Sequence, residues 1–140
     1  MTSTTVEAVR LTKHYGGRSA VEGVSFSASQ GEIVGLLGRN GAGKTTTIRL
    51  LTTVLEPTSG EFSIAGHPST SSTEIRRCVG VLPESSGYPS LQTGAEYLRF
   101  YARLYGSSRD QARSLSAELL ATVGLEGRSQ SRISTYSRGM

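Results

Sequence analysis

Residues Gly38-Arg39-Asn40-Gly41-Ala42-Gly43-Lys44-Thr45 constrain this chain more than any other stretch. They fit G-x-x-x-x-G-K-[ST] and lie between a short apolar run, Ile33-Val34-Gly35-Leu36-Leu37, and a helix-like pattern that begins near Lys44. That strand–loop–helix setting is what the pattern requires of a loop that cradles phosphates. The glycines let the backbone curl so that successive N–H groups point inward at phosphate oxygens. The helix start adds its positive end. Lys44 then serves as a point charge for the terminal phosphates, and the Thr45 hydroxyl is suited to Mg²⁺. The spacing makes Gly38 to Thr45, with the adjoining Thr46, the candidate nucleotide-phosphate site. It does not name the nucleotide.

The rest of the chain reads as strands first and helices last. Val6, Ala8 and Arg10 alternate with Glu7, Val9 and Leu11, and Val21 to Ala28 alternates again with Val24 and Phe26 on one face. Ser29-Gln30-Gly31-Glu32 is a turn. Ile33 to Leu37 then reads as a strand buried on both faces. Thr45 to Leu55 has helical spacing at Ile48, Leu51 and Leu55, and Pro57 stops it. Glu61 to Ala65 and Val79 to Leu82 read as further strands, and a short helix from Ser72 or Thr73 through Arg77 separates them. Tyr97, Phe100, Tyr101, Leu104 and Tyr105 form one helical stripe, and Ala112, Leu115, Leu119, Leu120 and Val123 form a second. Both stripes are expected to pack a core, with Gly106 and Gly124 ending their helices.

Composition narrows the function classes. The 140 residues suit one ordinary domain, and no apolar run is long enough to span a bilayer. The single cysteine, Cys78, leaves no disulfide framework and fits a reducing compartment. The net charge of +4 comes from arginines spread mostly singly along the chain without interleaved aromatic residues, so nucleic acid is not the expected partner.

Several further segments carry a family resemblance. Lys13-His14-Tyr15-Gly16-Gly17, Ala20 to Phe26, Gly31 to Gly38, Glu56-Pro57-Thr58-Ser59-Gly60-Glu61, Val79 to Glu84 and Tyr136-Ser137-Arg138-Gly139-Met140 together resemble the nucleotide-binding subunit of ABC transporters. The resemblance runs from about Val6 to the last residue. Its Tyr-Ser-Arg-Gly-Met form, with Leu82-Pro83-Glu84 and Phe100 to Gly106, resembles the exporter branch that serves sodium, drugs and polysaccharides. It implies ATP and Mg²⁺ as ligands, a membrane permease as partner, and a second nucleotide-binding subunit in a head-to-tail dimer. It also implies a place in the cytoplasm on the inner face of the membrane, with Ser85 to Tyr101 turned to the permease.

Site roles follow from the same resemblance. Tyr15 matches the aromatic that stacks on adenine, whose broad apolar face suits a ring; by itself it is also an ordinary strand-end tyrosine. His14 beside it reads as a surface residue. Glu84 stands where the family has a glutamine that contacts Mg²⁺ and the attacking water. Ser137 and Gly139 match the signature residues that face the γ-phosphate held by the partner subunit, and a serine and a glycine N–H at a helix start suit that task. Ser137 alone is also an ordinary helix cap. Tyr136, Arg138 and Met140 depart from the common signature, which begins with Leu and carries two glycines before Gln.

Hydrolysis in this family also uses an apolar strand ending in Asp, a following Glu and a later His. The one aspartate here, Asp110, lies in a polar helix start, and His14 and His67 both precede the helical region. The expected fold is therefore α/β, a P-loop NTPase (ABC ATPase) core with an antiparallel β subdomain and part of the helical subdomain, truncated before the Walker B strand. Residues 1–84 would form the β subdomain and P-loop core, and 85–140 the helical subdomain up to the signature loop. The chain is expected to bind ATP weakly and not to hydrolyse it alone. The alternative is a regulatory or non-hydrolysing nucleotide-binding copy. A GTPase or small-molecule kinase fits poorly, because GTPases need aspartates for guanine and near Mg²⁺.

Overall fold

The computed structural model describes residues 4–82, 87–137 and 139–140. The chain divides into two compact units, Met1–Leu82 and Pro83–Met140. In the first, β1 (Thr4–Tyr15), β2 (Arg18–Ser29), β3 (Ser59–Ile64) and β4 (His67–Pro68) form an antiparallel sheet in the order β2-β1-β3-β4. Gly16 and Gly17 take φ of 51° and 85°, and Tyr15 pairs with Arg18 across this two-residue turn. Two consecutive positive φ values match the right-handed twist of a tight hairpin, and glycine adopts them without strain.

The alternation expected in β1 is broken. Ala8, Leu11 and Thr12 are buried, whereas Val9 and Arg10 are exposed. The pairing of β1 with both neighbours shifts register around Arg10, whose φ is 47° and whose N–H donates to Ser25 Oγ at 2.8 Å. One extra residue at a bulge turns the next side chain to the other face. That slip puts Leu11 on the same face as Ala8. Gly60 of β3 backs onto this bulge, where a Cβ would collide with the Arg10 carbonyl.

Helices α1 (Lys44–Leu51) and α2 (Ser72–Cys78) complete the unit. The core joins Ala8, Leu11, Val21, Phe62 and Ile64 of the sheet to Leu50 and Leu51 of α1 and Ile75 of α2; Val24 and Phe26 pack against it. Helix α1 is shorter than its apolar spacing predicts. Thr53 adopts φ 58°, and the N–H groups of Val54 and Leu55 both return to the Arg49 carbonyl at 2.9 and 3.1 Å. This left-handed closure, rather than Pro57, ends the helix. Of the expected stripe, Leu51 is buried as predicted and Ile48 is exposed, and Leu50 joins Leu51 in the core.

The two remaining expected strands do not form. Ile33 to Leu37 and Val79 to Leu82 carry no strand pairing among the described residues, and Ile33, Leu37 and Leu82 are 98%, 92% and 87% exposed. A strand of this apolar kind is stable only with hydrogen-bonded neighbours and covered faces. Among the described residues these segments have no such neighbours, and only Val79 packs against the core.

The second unit holds α3 (Gly94–Leu104), α4 (Arg109–Thr122) and the short 3₁₀ turns Glu126–Arg128 and Ile133–Thr135. Both helices begin with reciprocal caps. Thr93 and Glu96 exchange side-chain and backbone bonds at α3, and Ser108 and Gln111 do so at α4. Such boxes satisfy N–H groups that the helix itself leaves open. The buried residues of the two helices are mostly small: Gly94, Ala95 and Ala102 from α3, and Ala112 and Ser116 from α4, with Leu120 of α4 against Gly94. The aromatic stripe of α3 therefore does not pack the core as expected. Phe100, Leu104 and Tyr105 are 57%, 68% and 85% exposed. Small side chains let helices approach closely, which turns the bulky face outward. On α4, Leu115, Leu119 and Val123 are likewise exposed.

Candidate functional site

Gly38 to Ala42 form an exposed loop that enters α1 through Gly43. Gly41 and Gly43 have φ of 83° and 87°, and the Ala42 N–H donates to the Arg39 carbonyl at 3.1 Å. Gly43 occupies the N-cap in a left-handed conformation, with no side-chain cap, and the first turn of α1 holds no acidic residue. The first helical bond of this turn runs from the Thr47 N–H to the Gly43 carbonyl at 2.8 Å. The N–H groups from Gly43 to Thr46 thus have no partner within the helix, and the positive end of its dipole is open to an anion.

Lys44 folds back over this loop. Its Nζ donates to the carbonyls of Gly38 and Arg39 at 2.7 and 2.8 Å. The ammonium is thereby held above the curl of backbone rather than extended away. Thr45 is exposed and Thr46 half-buried. The Thr45 hydroxyl is a hard oxygen donor beside these open N–H groups, a donor set that fits Mg²⁺ bound mainly through phosphate and water. Arg39 and Asn40 are exposed on the loop.

The loop is anchored to the β1–β2 hairpin. A Cβ on Gly43 would collide with the carbonyl oxygen of Ala20 and crowd Val21. Glycine at this position lets the helix start press against the β2 backbone. Ala20 lies two residues beyond Arg18, the cross-strand partner of Tyr15. Tyr15 is 46% exposed at the end of β1, so one part of its ring is free. Ala20 is the contact that the sequence reading missed. The contact is made by its backbone carbonyl, which no side-chain pattern declares.

Ser137 and Gly139 belong to the second unit and are exposed. They lie in a turn in which the Met140 N–H donates to the Ser137 carbonyl at 3.1 Å. Tyr136 before them is well fixed: its hydroxyl donates to the Arg128 carbonyl at 2.8 Å, and its ring sits under the Arg128 guanidinium and against Gly94. Glu84 lies outside the described residues. In the same unit Tyr88, Tyr97, Phe100 and Tyr101 form a chain of ring contacts at 4.8–5.4 Å. Burial, with a hydrogen bond to Tyr101 and repulsion from the neighbouring phenols, pushes Tyr97 up to about 12.

A concavity of about 680 Å³ lies elsewhere, at the bulge between Arg10, Glu22, Gly60 and Glu61. It is an open hollow left by the register shift and does not include the phosphate loop. Among the described residues no cluster of three metal-ligating side chains occurs, and no helix is long and apolar enough to cross a membrane.

Known proteins match this arrangement. A solved structure of an ATP-binding subunit of an ABC transporter superposes with a TM-score of 0.78 at 34% identity, covering 98% of this chain and 57% of that one. A linearmycin resistance ATP-binding protein of Bacillus subtilis is 37% identical over 96% of this chain and 44% of its own length. A bacitracin transport ATP-binding protein of Bacillus licheniformis is 37% identical over 99% of this chain and again 44% of its own length. The chain thus spans less than half the length of these curated relatives. The sequence profile of the ABC transporter family covers residues 21–140, and the chain belongs to that family.

Proposed function

We propose that this chain forms the ATP-binding part of an exporter-type ABC transporter, in which ATP binding and hydrolysis drive export through a membrane permease. The observation that carries the reading is the Gly38–Thr46 loop: open N–H groups at an uncapped helix start, with Lys44 folded over them. Gly38 to Thr46 cradle the phosphates, Thr45 meets Mg²⁺, and Tyr15 stacks on the adenine. Bound Mg²⁺ would neutralise charge between the phosphates. Resistance and bacitracin transport proteins among the relatives support the export branch. The transported substrate is set mainly by the permease.

Glu84, Ser137 and Gly139 are proposed for metal and γ-phosphate contacts as the resemblance implies, the latter two across a head-to-tail dimer. Residues 1–84 and 85–140 are proposed as β subdomain with P-loop core and helical subdomain. The exposed rings of Tyr88, Phe100 and Tyr101 support a protein partner on the helical part, since contiguous exposed apolar patches mark interaction sites. That partner is the permease, which holds the subunit at the inner face of the membrane. These 140 residues by themselves bind ATP weakly and turn it over negligibly, because their one aspartate, Asp110, sits in the first turn of α4.

Calorimetric titration of the purified chain with Mg-ATP tests the reading. Lys44→Ala removes a charge-assisted contact and is expected to weaken binding by about 10- to 100-fold. Equal affinity in the variant would refute it. A steady turnover abolished by Lys44→Ala would instead refute the claim of negligible hydrolysis.

A further inference from the structure

The Glu56-Pro57-Thr58-Ser59-Gly60 turn has no part in the phosphate site, yet it grips the end of β1 at three successive residues. The Thr58 N–H donates to the Thr12 carbonyl at 2.8 Å. The His14 N–H donates to Thr58 Oγ1 at 3.0 Å. Lys13 Nζ donates to the Glu56 carbonyl at 2.7 Å. The next residue but one after Lys13 is Tyr15, on the same face of the strand. The Lys13 ammonium, while held by Glu56, lies 5.5 Å from the centre of the Tyr15 ring.

We infer that Lys13 is a positioning residue for Tyr15: its tethered ammonium covers one face of the ring and leaves the opposite face for a purine base. The inference rests on the proposal that Tyr15 stacks on adenine. A cation over a ring is attracted to its negative face, so the contact restrains the ring against rotation out of place. It also draws electron density toward the covered face. The free face then meets an electron-rich purine with less repulsion, and a ligand without a base gains nothing. The carbonyl of Glu56 matters because an untethered lysine would move with solvent and would not hold the ring. In this view the turn before β3 is a clamp on the base-binding residue rather than a simple connector.

The test compares Mg-ATP with Mg-tripolyphosphate, which lacks the base, as ligands for the purified chain and its variants, and reads the Lys13 ε-methylene protons by NMR. In the native chain these protons should be shifted upfield by the Tyr15 ring, and Tyr15→Ala should remove the shift. Lys13→Met is expected to weaken ATP by about two- to fivefold and to leave tripolyphosphate unchanged. Lys13→Arg, which keeps a cation over the ring, should restore most of the loss. Absence of the ring-induced shift overturns the inference, as does a Lys13→Met effect equal for both ligands, or none for ATP. Tyr15→Ala separates the two layers. If it spares the preference for ATP over tripolyphosphate, the stacking proposal fails. If it removes that preference while Lys13→Met does not lower it, stacking stands and the role of Lys13 fails.

Discussion

Gly41 and Gly43 share the left-handed φ, 83° and 87°, but not their surroundings. Nothing lies near the position of a Cβ on Gly41, whereas one on Gly43 would strike the Ala20 carbonyl. Gly41→Ala should therefore cost only backbone strain, about 1 kcal/mol, and Gly43→Ala about 1–3 kcal/mol more, because β2 or α1 must also shift. Urea unfolding of the two variants compares them directly, and equal losses would mean that the loop and hairpin are not in register as described. Thr53 shows the opposite case. It is β-branched at φ 58°, and its hydroxyl is buried without a hydrogen-bond partner. Both features are unfavourable. Thr53→Gly should raise stability by about 1 kcal/mol on the same assay, since glycine takes this conformation freely.

Among the elements, α3 and α4 depend on their starts. Thr93→Ala and Ser108→Ala should each cost about 1 kcal/mol, roughly additively because the caps are on different helices. The α3 cap also responds to pH. The Thr93 N–H donates to the Glu96 carboxylate at 2.8 Å. That bond first, then the Thr93 hydroxyl and the nearby Arg99, hold the Glu96 carboxyl below its ordinary value. A depressed carboxyl contributes stability above its unfolded value and loses it as pH falls through the folded one. Thermal melts should show this acid-side loss in the native chain and less of it in Glu96→Gln, whose amide can keep the cap without titrating. Equal acid sensitivity in both would show that Glu96 is not responsible.

The elements also show what could be read from the sequence. The phosphate loop was legible because its residues act through backbone geometry that the glycines and lysine declare locally. The first two strands, β3, α2 and both long helices are legible from strand-forming residues, helical spacing and turn residues, whereas the hairpin pairing of β1 with β2 is a structural finding. Simple alternation puts Leu11 on the wrong face because a bulge at Arg10 depends on a distant partner, Ser25. The tyrosine stripe of α3 was assigned to a core because helical spacing reveals a face but not what covers it. Ile33 to Leu37 reads as a strand from composition, yet strand pairing depends on neighbours that no local pattern supplies.

For the whole molecule, those uncovered residues dominate behaviour in solution. Ile33 and Leu37 are almost fully exposed in a segment without strand pairing, which is an apolar surface open to association between chains. Ile33→Lys with Leu37→Lys should lower light scattering and raise the monomer fraction in size-exclusion chromatography, with the β1–β2–β3 sheet unchanged by circular dichroism. Unaltered scattering would place the adhesive surface elsewhere, with the α3 rings next to be tried. The sheet order carries a consequence in time. Because β3 pairs with β1 across the edge opposite β2, the three long strands can assemble only after Ile64 has been made, roughly thirty residues after Ile33. At about 5–20 residues per second, this apolar segment is made about 2–6 seconds before β3 is complete. An emerging chain of this design offers a holdase chaperone an apolar target while the sheet on either side of it in sequence is still incomplete.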